Sequence, residues 1–372
     1  MAEDEFVVTP WEVSGEIDYD KLVKKFGTQM IDGKILRRIK KHAELHPMLR
    51  RGIFYTHRDL DFILDEYEKG NRFVLYTGRG PSGHTHLGHL MPWMFTKYLQ
   101  DTFDVKLIFQ MTDDEKFMFN NNLTLEDTRK FSYENILDVI ALGFDPEKTE
   151  IFLDTEYIKT LYKLAIKVAK RITFSTAKAV FGFNNETNIG SIFFTSIQSA
   201  PAFLESERQG KSVPCLIPCA IDQDAHFRVT RDVAEYIGYP KPALILCKLF
   251  PSLAGSDKMS ASKPETSIFT TDPPKVAKKK IMNAFTGGQA TVEEQKEKGG
   301  NPDVCSVYQY LSYVFEEDDK KIKERGIKCR NGEVLCGECK EYLAEKVGKF
   351  LIEHQKNREK ARDDIEDFMI RD

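Results

Sequence analysis

Residues 78–89 read GRGPSGHTHLGH and follow directly on the apolar run FVLYT at 73–77. Four glycines, a proline and three histidines crowd this stretch, and LGHLMPWMFTKYLQ continues from it as an apolar-faced helix. A buried strand, a glycine-rich turn and a helix N-terminus form an anion site, because free backbone N–H groups and the helix dipole point outward. Glycine lets a ligand approach the backbone closely. Histidines at the helix start can donate to phosphate oxygens as charge builds in a transition state. His86 and His89 stand i, i+3 and share a face once the helix has begun; Arg79 adds a fixed cation. A metal site is a competing reading of His84, His86 and His89, but neither an HExxH pattern nor a cysteine pair accompanies them. An ordinary turn carrying surface histidines is the third reading.

Outward from this stretch the rhythm is strand, helix, strand. Phe73–Thr77, Val105–Met111, Glu150–Leu153 and Cys215–Ile221 read as buried strands. Thr124 opens a capping-box pattern, Thr-Leu-Glu-Asp, whose helix should stop at Gly143. Asp222-Gln223-Asp224 follows the fourth strand and precedes a helix, HFRVTRDVA. The alternation predicts an α/β fold, a Rossmann-like parallel sheet covered on both faces, over residues 68–271. Such sheets bind ligands at the carboxyl ends of their strands, at a switch point. Residues 1–67 read as an N-terminal extension of short strands and helices, with FVV and Thr9-Pro10-Trp11-Glu12-Val13 flanking a turn and IDYDKLVKKFG forming a helix that ends at Gly27. Gly27 and Gly33-Lys34 do not make a P-loop, because five residues rather than four separate the glycines and no hydroxyl follows the lysine. Residues 272–372 are mainly helical and charged, with about 20 basic and about 20 acidic residues that nearly cancel.

The chain has 372 residues, enough for two or three domains. The acidic Met-Ala-Glu-Asp-Glu start fits no secretory or transit signal, and no apolar run approaches the roughly 20 residues of a membrane helix. Seven cysteines, an odd count, suggest reduced thiols and a cytoplasmic home. The formal charge of −4 argues against a DNA binder, so any basic patch is local.

His86-Leu87-Gly88-His89 resembles the HIGH signature of class I aminoacyl-tRNA synthetases, and Lys258-Met259-Ser260-Ala261-Ser262 resembles their KMSKS loop. TGRGPS, QMTDDEK, IQSAPAF, AIDQDAHFRVTRDVA and IGYPKPAL extend the resemblance, over nearly the whole chain, to tryptophanyl-tRNA synthetases of the eukaryotic type. The resemblance implies activation of tryptophan with ATP, then transfer to the terminal 2′-OH of tRNA(Trp), with the helical region reading the anticodon and a homodimer as the working unit. It implies ATP contacts at Gly78, Gly80, His86, Gly88, His89, Asp222, Gln223 and Met259. Arg79, Lys258 and Ser260 are expected at the phosphates, and magnesium on the pyrophosphate with few protein ligands.

Tryptophan needs an apolar slot and an acceptor for its donor-only indole N–H. The resemblance gives that partner as Tyr76 and Gln110. Glu115, Lys116, Gln198 and Gln223 are expected at the ammonium and carboxylate. Gln110 stands out even without the resemblance, because an amide inside an apolar run demands a partner. Carboxylates at the switch point suit ribose hydroxyls, with Asp222 and Asp224 dividing that role and helix N-capping. Thr9-Pro10-Trp11 is expected to lie over the ATP site as a lid. Ala261 replaces the second lysine of the loop signature. Cys329, Cys336 and Cys339 lack a fourth zinc ligand at a natural spacing and read as free thiols. Lys278-Lys279-Lys280 is a candidate RNA-facing patch or a solvated helix face. A tyrosine–tRNA ligase, a synthetase-derived module without catalysis and a nucleotidylyltransferase are the competing readings.

Overall fold

The computed structural model describes residues 6–8, 13–15 and 17–372. Strands β1 (Phe6–Val8) and β2 (Val13–Gly15) pair antiparallel. The Thr9-Pro10-Trp11 segment expected as a lid lies outside the described residues. The main sheet has seven strands: β3 (Gln29–Met30), β4 (Phe54–Arg58), β5 (Val74–Arg79), β6 (Lys106–Met111), β7 (Thr149–Leu153), β8 (Cys215–Ala220) and β9 (Ala243–Cys247). Their order is β3-β4-β9-β8-β5-β6-β7. The five strands from β9 to β7 are parallel, as the alternation predicts. β3 and β4 join antiparallel, so the sheet is mixed and draws two strands from the segment read as an extension. β10 (Pro251–Ser252) and β11 (Gly255–Lys258) form a hairpin, and β2 packs against β11.

Strand residues alternate between two cores because successive side chains face opposite ways. Leu75, Leu107, Phe109, Leu216 and Ile245 enter one; Val74, Ile108, Phe152, Ile217 and Leu244 enter the other. The first core continues into the C-terminal helices through Leu343, Val347 and Leu351. The 33-residue helix Cys336–Phe368 packs on the helices Leu125–Ile140 and Pro274–Met282. Buried Asp138 receives His354 Nε2 at 2.9 Å and Arg358 Nη1 at 2.5 Å. Beyond the helix, Ile370 N–H donates to the Ile151 carbonyl on edge strand β7. The helical region is thus fastened to the sheet through apolar, ionic and backbone contacts.

The capping box at Thr124 forms as read, with Asp127 Oδ2 accepting from Thr124 N–H at 2.9 Å. The helix ends at Ile140, and Gly143 adopts a left-handed conformation two residues past the cap at Ala141. Gly27 caps Tyr19–Phe26 in the same way, which explains that glycine without a phosphate role.

β5 and β8 meet at the switch point, and the way they part creates the site. They pair only at Val74–Cys215 and Leu75–Leu216. Beyond these pairs Pro218 has no N–H to donate, and the carboxyl halves diverge. The space between them becomes a cavity of about 290 Å³.

Candidate active site

Tyr76, Thr77, Gly78 and Arg79 line the cavity from β5, and Ile217, Pro218, Cys219 and Ala220 line it from β8. Gly78 lies beside Gln110 in register on β6, and a Cβ there would stand 2.7 Å from the Gln110 carbonyl oxygen. Glycine is therefore required by close backbone approach. Arg79 Nε donates to Asn135 Oδ1 at 3.2 Å, while its Nη2 is buried with no partner among the described residues. Burial lowers the Arg79 pKa to about 10, and the group remains a cation at neutral pH.

His86 precedes the helix Leu87–Phe103 in extended backbone. Its N–H donates to His89 Nδ1 at 3.2 Å, and the two rings stack 3.5 Å apart. Because His89 Nδ1 accepts, its Nε2 carries the proton and is a donor. Burial, then Arg79, pushes both imidazoles well below the ordinary histidine range, so both are neutral in the free protein. His84 does not line the cavity; its ring and that of His86 each stand 6.3 Å from Phe269. Among the described residues no group of three His, Cys, Asp or Glu could hold a metal ion.

The loop signature meets the turn signature in space. A Cβ on Gly88 would stand 3.1 Å from His86 Nδ1 and 3.5 Å from the Cβ of Met259, which is buried. After the loop the chain straps the turn: Leu87 N–H donates to the Ile268 carbonyl, and Thr270 N–H to that of Thr85. Lys258 Nζ donates to Asp222 Oδ2 at 2.6 Å, and buried Asp222 Oδ1 has no partner among the described residues. Gln223, next in the chain, also lines the cavity.

Two candidates face elsewhere. Asp224 opens the helix Asp224–Ala234 but neither caps it nor lines the cavity. Its carboxylate takes Arg58 at 2.7 Å and 2.9 Å, and Arg228 at 3.2 Å. An arginine from antiparallel strand β4 was not visible to the sequence reading as a partner. Ser260 is outside the cavity lining; its hydroxyl stands 2.9 Å from that of Ser262.

A second group of polar residues gathers along β5 and β6. Tyr76 OH lies 2.5 Å from Gln110 Oε1 and 2.8 Å from the Gln198 carbonyl. Gln110 Nε2 donates to Asp154 at 2.7 Å. Gln198 Oε1 is buried without a partner among the described residues. Glu115 accepts from Thr112 Oγ1 at 2.6 Å and from Lys116 Nζ at 2.7 Å. Burial works to raise its pKa, but Lys116 and Thr112 outweigh it and hold the carboxylate below its usual range. Gly80 leaves room here, since a Cβ would fall 2.6 Å from Glu115 Oε2.

Sequence reasoning missed Asp154, Lys248, Phe227 and His226. The last three line the cavity, and Phe227 stands edge-on to Tyr76 at 5.9 Å. The signal for Asp154 was a carboxylate directly after the apolar run EIFL. Burial lowers the His226 pKa to about 4.

A family model described as class I tRNA synthetases (W and Y) matches residues 68–352. The chain belongs to this family. It is 55% identical over 370 residues to a tryptophan–tRNA ligase of Pyrococcus furiosus, covering 98% of this chain and 94% of that one. Against the Pyrobaculum calidifontis tryptophan–tRNA ligase it is 52% identical over 369 residues, covering 99% and 98%. Among solved structures, the tryptophanyl-tRNA synthetase of Giardia lamblia superimposes with TM-score 0.89 at 38% identity, over 95% of this chain and 96% of that one. The Encephalitozoon cuniculi enzyme bound to tryptophan gives 0.87 at 37% identity, over 95% and 98%. The relatives at 52% and 55% identity are archaeal, so the resemblance is to tryptophanyl-tRNA synthetases generally rather than to the eukaryotic type.

Outside the active site, Lys278 pairs with Glu341 and Lys280 with Asp272, each at 2.6 Å, which leaves little of the expected basic patch unengaged. Cys329, Cys336 and Cys339 border a second, small cavity together with Cys305, and all four are free thiols.

Proposed function

We infer that this chain is a tryptophan–tRNA ligase. The observation that carries the pocket assignment is the Tyr76–Gln110 pair, two polar groups buried on β5 and β6 that line the cavity. An indole N–H needs an acceptor and offers none. Tyr76 OH and Gln110 Oε1 supply acceptor lone pairs, Phe227 and Ile217 the apolar walls, and the Gln198 side-chain oxygen an acceptor for the substrate ammonium. Glu115 adds negative charge at that end. A tyrosine phenol would also need a donor for its oxygen, and neither Gln110 Oε1 nor Tyr76, whose proton is taken by Gln110 or the Gln198 carbonyl, supplies one.

In activation, a carboxylate oxygen of tryptophan attacks the α-phosphorus of ATP; the new O–P bond forms as the bond to pyrophosphate breaks. The protein supplies alignment and charge rather than a nucleophile. ATP lies along the turn, where Gly78, Gly80 and Gly88 leave room beside the backbone. His89 Nε2–H and Arg79 Nη2 donate to phosphate oxygens. Lys258, held by Asp222 in the free protein, transfers its charge to the leaving pyrophosphate, and this frees Asp222 for the ribose with Gln223. Magnesium carried by ATP would offset the phosphate charge, with few direct protein ligands. In transfer, the terminal 2′-OH of tRNA(Trp) attacks the carbonyl carbon and AMP leaves. The helical region reads the anticodon, the segment of β1 and β2 beside β11 contributes the lid, and the enzyme works as a cytoplasmic homodimer.

The test is charging of a tRNA(Trp) transcript with labelled tryptophan. Acid-precipitable label that depends on ATP and is lost on changing the anticodon supports the reading. Label independent of the anticodon contradicts the role given to the helical region, and no label contradicts the function.

A further inference from the structure

Gln110 faces the cavity with an amide whose two ends are opposite in character. Which end points inward decides whether the pocket offers an acceptor or a donor to a ligand N–H. Nothing within β6 fixes that choice. The group that does lies on the neighbouring strand: Asp154, fully buried at the carboxyl end of β7, stands 2.7 Å and 3.0 Å from Gln110 Nε2 through its two oxygens.

Asp154 is itself oriented. Its carboxyl is in hydrogen-bond contact with that of Asp114. Asp114 Oδ1 accepts the Glu115 N–H at 2.7 Å, at the start of the helix Asp113–Phe119, where the dipole favours a charged carboxylate. Asp113 is engaged elsewhere, both oxygens taking groups of Thr155. Two buried carboxyls in contact cannot both be ionised. Burial raises both carboxyls, Asp114 to about 7 and Asp154 well above the carboxylate range, so Asp154 carries the shared proton and donates it to Asp114. A protonated Asp154 has one hydroxyl and one carbonyl oxygen, and the carbonyl accepts from Gln110.

We propose that Asp154 is a positioning residue for amino-acid specificity: held by Asp114, it locks the Gln110 amide with its oxygen toward Tyr76 and the cavity, so that the pocket accepts from an indole N–H. Without it the amide turns freely, and an N–H can face the incoming N–H. Two donors in contact leave a buried group unpaired, the situation by which hydrogen-bonding sites reject wrong ligands. The inference rests on the tryptophan reading of the site and names the device that enforces it. Asparagine is a close copy of protonated Asp154, with one acceptor for Gln110 and one donor for Asp114.

The experiment measures pyrophosphate exchange by the full chain with tryptophan and with β-(benzothiophen-3-yl)alanine, in which sulfur replaces the indole N–H. Asp154→Ala should lower kcat/KM for tryptophan by about tenfold or more, mainly through KM, with little change for the analogue or in KM for ATP. Discrimination between the two substrates then collapses. Asp154→Asn should retain it. Gln110→Met should lose it, and adding Asp154→Ala to Gln110→Met should change the ratio no further, because Asp154 acts only through that amide. Equal losses for both substrates, an Asn variant as impaired as Ala, or an additive double variant would each overturn the proposal. Those outcomes are distinct from failure of the underlying reading, in which the unaltered chain would give no tryptophan-dependent exchange and both inferences would fall.

Discussion

Replacing Gly78 by alanine tests how closely β5 and β6 must approach for the site to exist. The new methyl would stand 2.7 Å from the Gln110 carbonyl oxygen, against ordinary van der Waals contact from 3.4 Å. Relief requires the strands to part by about 0.7 Å, the difference of those two distances. The carbonyl belongs to a parallel ladder in register from Val74–Lys106 to Arg79–Met111 and cannot swing aside as a side chain would. Forcing a methyl into a packed site costs about 1–3 kcal/mol. The larger effect is on function, because the same displacement carries the Gln110 side chain away from Tyr76. Misplacement of about 1 Å costs up to about 100-fold, so kcat/KM for tryptophan should fall by about 10- to 100-fold. Urea denaturation measures the first effect and tryptophan-dependent pyrophosphate exchange the second. A Gly78→Ala enzyme with unaltered stability and kcat/KM would refute the close-approach argument.

Three further outcomes are expected. Lys258→Ala should lower the exchange rate constant by about 100-fold while leaving equilibrium tryptophan binding, read by fluorescence, nearly unchanged, because its charge acts on departing pyrophosphate; equal losses in both would make Lys258 structural. Asp138→Ala should cost about 3 kcal/mol by leaving His354 and Arg358 without their buried partner. Burial raises the Asp138 pKa, but His354 and Arg358 outweigh it and hold it below the ordinary carboxylate value. Its contribution is therefore full above the unfolded pKa of about 4 and is lost as pH falls through the lower folded value. The stability gap between parent and variant should shrink in acid, and a gap constant down to pH 3 (about one unit below that unfolded value) would contradict the assignment. Because burial keeps His86 and His89 neutral, kcat/KM for ATP should show no limb near pH 6.5, about the free histidine value. Such a limb, abolished by His86→Asn, would contradict this picture.

The parallel strands, the glycine turn and the helix it opens were legible because their signals are local: an apolar run, permissive glycines and a capping pattern. Gln110 was legible for a different reason, since an amide within KLIFQM has no comfortable place in a core. Most of the candidate residues do converge on one cavity, including Met259 against Gly88 across a long stretch of chain. What the sequence hid were pairings between strands distant in the chain. Arg58 takes Asp224 away from the cavity from a strand that reads as part of an N-terminal extension. Asp154 lies 44 residues beyond Gln110, and only the parallel register of β6 and β7 brings the two side chains together. Cys305 joins the three later cysteines through helix packing that no spacing pattern conveys. Strand β4 enters the sheet antiparallel, against the strand–helix alternation that revealed β5 to β8.

The measurement that bears most directly on the central claim is amino-acid-dependent exchange of labelled pyrophosphate into ATP, with tryptophan and tyrosine run side by side. Exchange with tryptophan and none with tyrosine is the predicted result, and it would join the phosphate site at the turn to the indole pocket at Tyr76 and Gln110. Exchange with tyrosine, or with neither, would contradict it.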